Sequence, residues 1–188
     1  MSQAYQINNQ SGLYYLTLQI VQWADIFTRK VYRDIVIESF KYCQQHKGLE
    51  IYAYVIMSNH IHLLVRSSND NLSDVVRDMK RHTSKQIVEA INQGVECRKD
   101  WLLLIFKYAA KGHKRNNEYQ VWTHENHAEE IFSNSFIEQK IDYIHNNPVR
   151  AGLVTKPEDY LYSSGRNYAD LESVIEIQIA DRRWKTII

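Results

Sequence analysis

Two short stretches of this chain hold side chains whose types and spacing could do chemistry. The first is Asn59-His60-Ile61-His62-Leu63-Leu64. In a β-strand, residues two apart point to the same face. His60 and His62 would then stand side by side with Ile61 on the opposite face. Two imidazoles so placed can hold one divalent ion. The same spacing also suits two ordinary histidines on an exposed sheet face, and spacing alone does not separate the two readings. The second stretch is Asp142-Tyr143-Ile144-His145-Asn146-Asn147-Pro148. On a helix, Tyr143 and Asn147 are four apart, so their side chains are neighbours. A phenol beside a carboxamide makes chemical sense where both approach a metal-bound phosphate, Asn147 as a third ligand and Tyr143 as the attacking group. In isolation, a helix tyrosine that packs and an asparagine that precedes a turn explain the pair equally well.

The elements that must position these groups are legible from periodicity. Leu13 to Val21, rich in aromatic and aliphatic residues, reads as a strand. Ala24 to His46 reads as a helix with Tyr32, Val36, Phe40 and Cys43 near one side, and Gly48 supplies its stop. Ile51 to Met57 and His60 to Arg66 read as strands paired through a tight turn at Ser58-Asn59. Asn71 to Asn92 reads as a second helix buried along Leu72, Val75, Val76, Met79, Thr83, Ile87 and Ile91. Trp101 to Tyr108 fits helix or strand, and Gly112 to Asn117 reads as a mobile basic loop. Tyr119 to Trp122 reads as a short fourth strand. Ser135 to Asn147 reads as a third main helix ending before Pro148, which disfavours helix at the residue before it. The order strand, helix, strand, strand, helix, strand is the split pattern of an α+β ferredoxin-like fold. It predicts an antiparallel sheet with two helices on one face, followed by the C-terminal helix that carries Tyr143. That fold hosts many functions, so function has to come from the site.

Length and composition set the outer limits. A chain of 188 residues with 44% hydrophobic content fits one globular domain, taken as residues 1–188. No apolar run reaches membrane-spanning length, and the polar start MSQAYQINNQ lacks the order of a signal peptide. The expectation is a cytoplasmic protein in which Cys43 and Cys97 are isolated, buried thiols. A net charge of +1 does not announce a nucleic-acid binder. The charge is uneven, however: from Arg77 to Arg115, ten basic residues stand against four acids. Such a run is either a solvated face or a phosphate-binding surface.

The two stretches together carry more weight than either alone. MSNHIHLLV followed by DYIHNNPVRAGLV resembles the single-tyrosine HUH transposases, where HUH means His-hydrophobe-His. The closest likeness is to the REP-associated tyrosine transposases and related small insertion-sequence transposases. SDVVRDMKRHTSKQI (Ser73 to Ile87) is similar to that family's helix after the histidine strand. Gln120-Val121-Trp122, with His124 and His127, is similar to the segment before the tyrosine helix, and DYLYSSGRNY (Asp159 to Tyr168) to the stretch after it. The resemblance runs from about Leu13 to Tyr168. Ser58 stands where the family often has Pro, and residues 93–117 match nothing in it.

The resemblance implies His60 and His62 as metal ligands, Asn147 as a third, amide-bearing ligand, and Tyr143 as nucleophile. It implies magnesium or manganese, where imidazoles alone would suggest zinc, manganese or nickel. The implied substrate is single-stranded, hairpin-forming DNA, cleaved and rejoined through a 5′-phosphotyrosine without ATP. Lys80, Arg81, Lys85, Lys111, Lys114 and Arg115 become candidate contacts to the DNA backbone, and Trp122 could stack bases unless it packs in the core. Monomer and homodimer stay open. Two other readings compete. A non-catalytic nucleic-acid binder would not need two histidines plus Asn147. A hydrolase with water as nucleophile would be expected to carry an Asp or Glu cluster around the pair.

Overall fold

The computed structural model describes residues 6–111 and 118–180. Four strands form one antiparallel sheet: β1 (Tyr14–Gln19), β2 (Leu49–Ile56), β3 (His60–Ser67) and β4 (Glu129–Glu130), in the order β2-β3-β1-β4. The helices are α1 (Lys30–Lys47), α2 (Leu72–Gln93), α3 (Lys99–Lys111), α4 (Asn134–Arg150) and the short α5 (Gly165–Tyr168). With β3 inserted antiparallel between β2 and β1, this is the split ferredoxin-like α+β arrangement that the element order predicts.

Alternation along the strands divides the core in two. Leu16, Leu18 and Ile20 join Ile61, Leu63 and Val65 beneath α1, α2 and α3. Tyr15 and Leu64 join Ala53, Val55, Ile141 and Ile144 beneath α4. The sheet is therefore covered by helices on both faces. Tyr52 makes a bulge in β2: Ile51 pairs with Val65 while Ala53 already pairs with Leu64. The free edge of β2 is covered by the chain after α4, where Ile56 N–H donates to Tyr162 O (3.0 Å) and Ser164 N–H donates to Tyr54 O (2.9 Å).

Several boundaries differ from the sequence reading. The first helix begins at Lys30 rather than Ala24, because residues 21–28 fold into two 3₁₀ turns. Gly48 ends it as predicted, in the left-handed conformation at φ 67°. Trp101 to Tyr108 is helical, within α3. The fourth strand is Glu129–Glu130, paired with Tyr14 and Tyr15, and not Tyr119 to Trp122. The chain near Trp122 does run beside β1, with Thr123 N–H donating to Gln19 O and Thr17 N–H to Asn126 O (both 2.9 Å). Only Ile20 and Trp122 form a bridge there. Helix α4 continues through Pro148 to Arg150. Proline removes one donor, but Ala151 N–H still reaches Asn147 O (3.0 Å) and Pro148 itself is buried, so packing overrides the local preference. Cys43 is buried as expected, whereas Cys97 is at the surface. Lys114, Arg115 and the loop expected from Gly112 to Asn117 lie outside the described residues. Among the described residues, no helix is long and apolar enough to cross a membrane.

Candidate metal and nucleophile site

His60 and His62 open β3 on the face turned toward α4, and their ring centroids lie 4.7 Å apart. Each ring is fixed through its Nδ1. The Asn59 side-chain amide donates to Trp23 O (3.3 Å), which turns its oxygen toward His60. His60 Nδ1–H then donates to that oxygen at 2.7 Å and leaves Nε2 with its lone pair. His62 Nδ1 lies 2.8 Å from the Tyr15 hydroxyl and 3.0 Å from the Thr17 hydroxyl. Thr17 is the direct cross-strand partner of His62 in the β1–β3 ladder. The side chains of Tyr15 and Thr17 stand on the same face of β1, so both oxygens converge on one nitrogen.

Electrostatics keep both imidazoles neutral. Burial pushes the His60 ring below the usual histidine range. His62, only 5% exposed, is pushed down to about 3 by burial, with the charges of His60 and Lys140 adding to it. Burial likewise raises the Tyr15 hydroxyl above its ordinary range, so it stays protonated. Two neutral rings anchored through Nδ1 can each offer an Nε2 lone pair when Nδ1 carries the proton, which is a donor pair suited to a divalent ion. Among the described residues no Asp, Glu, Cys or further His joins them in a cluster of three. Asn147 lies partly buried, one turn beyond Tyr143 on α4.

Helix α4 brings Tyr143 to this pair. Ser133 caps its start, its hydroxyl accepting from Phe136 N–H (3.3 Å). Ile141 and Ile144 are fully buried against the sheet, and that packing sets the rotation of the helix. The Tyr143 ring then lies edge-on to His62 at 5.3 Å between centroids and to Tyr15 at 6.2 Å, and remains 37% exposed. One cation stands over Tyr143 and another over Tyr15. The Arg150 guanidinium carbon lies 5.3 Å from the Tyr143 ring centroid. Lys140 sits 4.0 Å over the Tyr15 ring and pairs with Glu129 at 2.7 Å. His145, two residues from Tyr143, turns toward Ser164 instead (2.8 Å).

The family model described as IS200-like transposase matches residues 12–147, which takes in both histidines, Tyr143 and Asn147. The chain belongs to the IS200-like transposase family. A protein of Haemophilus influenzae, provisionally named a REP-associated tyrosine transposase, is 25% identical over 160 residues, covering 82% of this chain and 80% of that protein. A solved structure of a REP-associated tyrosine transposase bound to a REP hairpin superposes with a TM-score of 0.59 at 18% identity. It covers 100% of both chains and shares the fold. Membership makes this chain a DNA-processing enzyme of the transposase class.

Within this transposase the basic residues are dispersed. Arg81 and Lys85 are exposed on α2, across the sheet from α4, and Arg81 pairs with Asp78 at 3.2 Å. Lys111 is exposed at the end of α3. Lys80 is mostly enclosed and donates to Thr123 O (2.6 Å) and Asn126 Oδ1 (2.7 Å), so two of its three donors are occupied within the protein. Burial lowers its pKa to about 8. Trp122 is core: it is 4% exposed and donates to the Thr83 hydroxyl at 2.9 Å. Sequence reasoning missed Tyr15, Thr17, Asn59 and Trp23. The strand alternation that placed the histidines also put Tyr15 and Thr17 on one face of β1. Only the register of β1 on β3 says that this face is theirs.

Proposed function

We propose that this chain cleaves and rejoins single-stranded, hairpin-forming DNA, with Tyr143 as nucleophile. The observation that carries the reading is the approach of Tyr143 to His62, 5.3 Å between rings, from a helix distant in sequence. The Tyr143 hydroxyl attacks the phosphorus, the bond to the 3′-oxygen breaks, and the DNA is left with a free 3′-hydroxyl and a 5′-phosphotyrosine. Bond energy is conserved, so a 3′-hydroxyl attacking that phosphotyrosine reseals a strand and returns the phenol. His60 and His62 through Nε2, with Asn147, would hold magnesium or manganese, which supplies charge neutralisation at a phosphate oxygen. Asn59, Tyr15 and Thr17 keep those lone pairs aimed outward. Arg150 places a cation beside the attacking phenol, where a phosphodiester brings negative charge.

The DNA class is supported by the family and by the REP hairpin held by the structurally similar transposase. Arg81, Lys85 and Lys111 are exposed cations of the basic run that could take phosphate contacts. Lys80 has a single donor left for that task, and Lys114 and Arg115 complete the proposed basic set. A hairpin that meets both α2 and Tyr143 has to pass the edge or end of the sheet, since the two lie on opposite faces.

The test is a denaturing gel. The purified protein is incubated with labelled hairpin DNA from repeats flanking its gene, plus manganese. A covalent protein–DNA adduct is expected for wild type and lost in Tyr143→Phe and His60→Ala. Cleavage that persists in Tyr143→Phe would sink the assignment and transfer the chemistry to water or another tyrosine.

A further inference from the structure

An exposed indole stands beside the first histidine, and neither fold nor metal binding accounts for it. Trp23 is 60% exposed, and its ring lies 6.1 Å from that of His60 with the planes at 79°. An edge-to-face meeting leaves indole surface open to solvent. The backbone that presents it is unusual: Gln22 and Trp23 both have φ of 53°, the left-handed region that side-chain-bearing residues avoid. The conformation is enforced by its surroundings. Trp23 N–H donates to Ile20 O (3.1 Å), Ala24 N–H to Val21 O (3.2 Å), and Ile20 N–H to Asn59 O (2.9 Å). The Asn59 side chain grips the Trp23 carbonyl with its amide nitrogen and the His60 ring with its oxygen. Two disfavoured backbone conformations thus occur where the chain presents both a carbonyl to Asn59 and a large apolar ring to water. Burial of that ring does not offset the strain. Trp122, by contrast, is placed in the core with its N–H satisfied.

We infer that Trp23 is a stacking platform for the unpaired base next to the scissile phosphate, and that Asn59 is a positioning residue that fixes platform and His60 as one unit. Aromatic faces stack any base, and an indole is the largest such face a protein offers. A phosphate seated at His60 lies about one ring-to-ring step from Trp23, which is the reach of one nucleotide between its base and its phosphate. The inference rests on the proposed DNA cleavage, and it deepens that reading by requiring an unpaired base at the site rather than a duplex step. It also gives the enzyme a reason to prefer a hairpin foot, where flanking bases are free, over continuous helix.

Binding separates this from the chemistry. Labelled hairpin DNA with a single-stranded extension is titrated by anisotropy in manganese, using Tyr143→Phe protein so that no adduct forms. Trp23→Ala in that background should weaken binding at least about fivefold, and Trp23→Phe should retain most of it. Removing the base nearest the cleavage point should weaken the parent to the same extent and add nothing to Trp23→Ala, the signature of a shared contact. Manganese affinity should be unchanged in Trp23→Ala, because Asn59 holds the backbone carbonyl and not the indole. Equal binding by Trp23→Ala and its parent would overturn the platform. So would a loss that is the same on abasic DNA, or a matching loss of manganese affinity, which would make the indole a shield for His60. Base-dependent binding through Trp23 with no adduct in the wild-type enzyme would leave the platform standing and sink the nucleophile assignment instead.

Discussion

The two faces of the sheet are built from the same strands and do opposite work. On the face under α1 and α2, β1 and β3 present Leu16, Leu18, Ile61, Leu63 and Val65, all essentially inaccessible. On the other face the same strands present Tyr15, Thr17, His60, His62 and Leu64. That face is itself divided. Near β2 it is apolar, with Ala53, Val55 and Leu64 packed against Ile141 and Ile144. Toward the start of β3 it becomes polar, and its nitrogens and hydroxyls are paired with one another. Burying polar groups is tolerable where each finds a partner, and here the pairing also orients the two imidazole rings. One face is uniformly apolar and inaccessible, while half of the other gathers polar groups of which Thr17 and His60 are only half-buried.

The sharpest way to break this comparison is to change neighbours that face different ways. Tyr143→Phe should abolish the covalent adduct and leave the melting temperature within about a degree of wild type, since an exposed surface hydroxyl contributes little to stability. Ile144→Ala, the next residue along α4, should cost about 2–5 kcal/mol in urea unfolding. On β3, Leu63→Ala should cost a similar amount, whereas His62→Ala should remove manganese binding with a smaller loss of stability. If Leu63→Ala lost metal affinity while keeping its stability, the division of labour between the faces would be wrong.

How much of this was legible in the sequence follows from the same alternation. Period-two patterning placed both histidines on one face, and the 3.6 period placed Tyr143 and Asn147 one turn apart. Both are local properties that survive folding. The fourth strand was misplaced because Glu129 and Glu130 have no strand-like composition: their pairing depends on β1 offering an edge. The helix end at Pro148 was misplaced because a local preference met a buried site. Tyr15, Thr17 and Trp23 were invisible as site residues for one reason. Their roles depend on which strand or turn lies beside β3, and one chain's periodicity carries no register.

Acid should sharpen the contrast. A histidine whose pKa is lowered on folding is held neutral in the native state, so the unfolded chain binds more protons below its ordinary pKa. Stability from that burial is complete above roughly pH 6.5 and is lost as pH falls toward the folded value. For His62 that window runs from about 6.5 down to about 3, and His60 adds to it in the same direction. Between pH 7 and pH 5 the carboxylates held below their usual range, such as Glu50 and Asp78, do not yet titrate. Urea unfolding should therefore show a loss on the order of 2 kcal/mol at pH 5 that is smaller in His62→Asn. Identical pH dependence in the two proteins would mean that His62 is not held neutral by its surroundings.

The smallest effects should come from the hydroxyls behind His62, and they test whether the polar half-face is organised or merely accommodated. Tyr15 and Thr17 approach the same Nδ1, and that nitrogen carries one proton when Nε2 is the ligand. It can donate to only one of them at a time. Removing either hydroxyl leaves the other as acceptor, so Tyr15→Phe and Thr17→Val should each lower manganese affinity by less than about tenfold. Removing both leaves the Nδ1–H without a partner and the ring free to turn, and the loss should approach the roughly 10–100-fold typical of a lost supporting hydrogen bond. Calorimetric manganese titrations of the two single variants and the double variant form a closed cycle. A double variant that loses more than the single losses combined identifies the hydroxyls as alternative holders of one ring. Simple additivity would mean that each makes a separate contact and that His62 is oriented by the packing of its ring on Tyr15 instead.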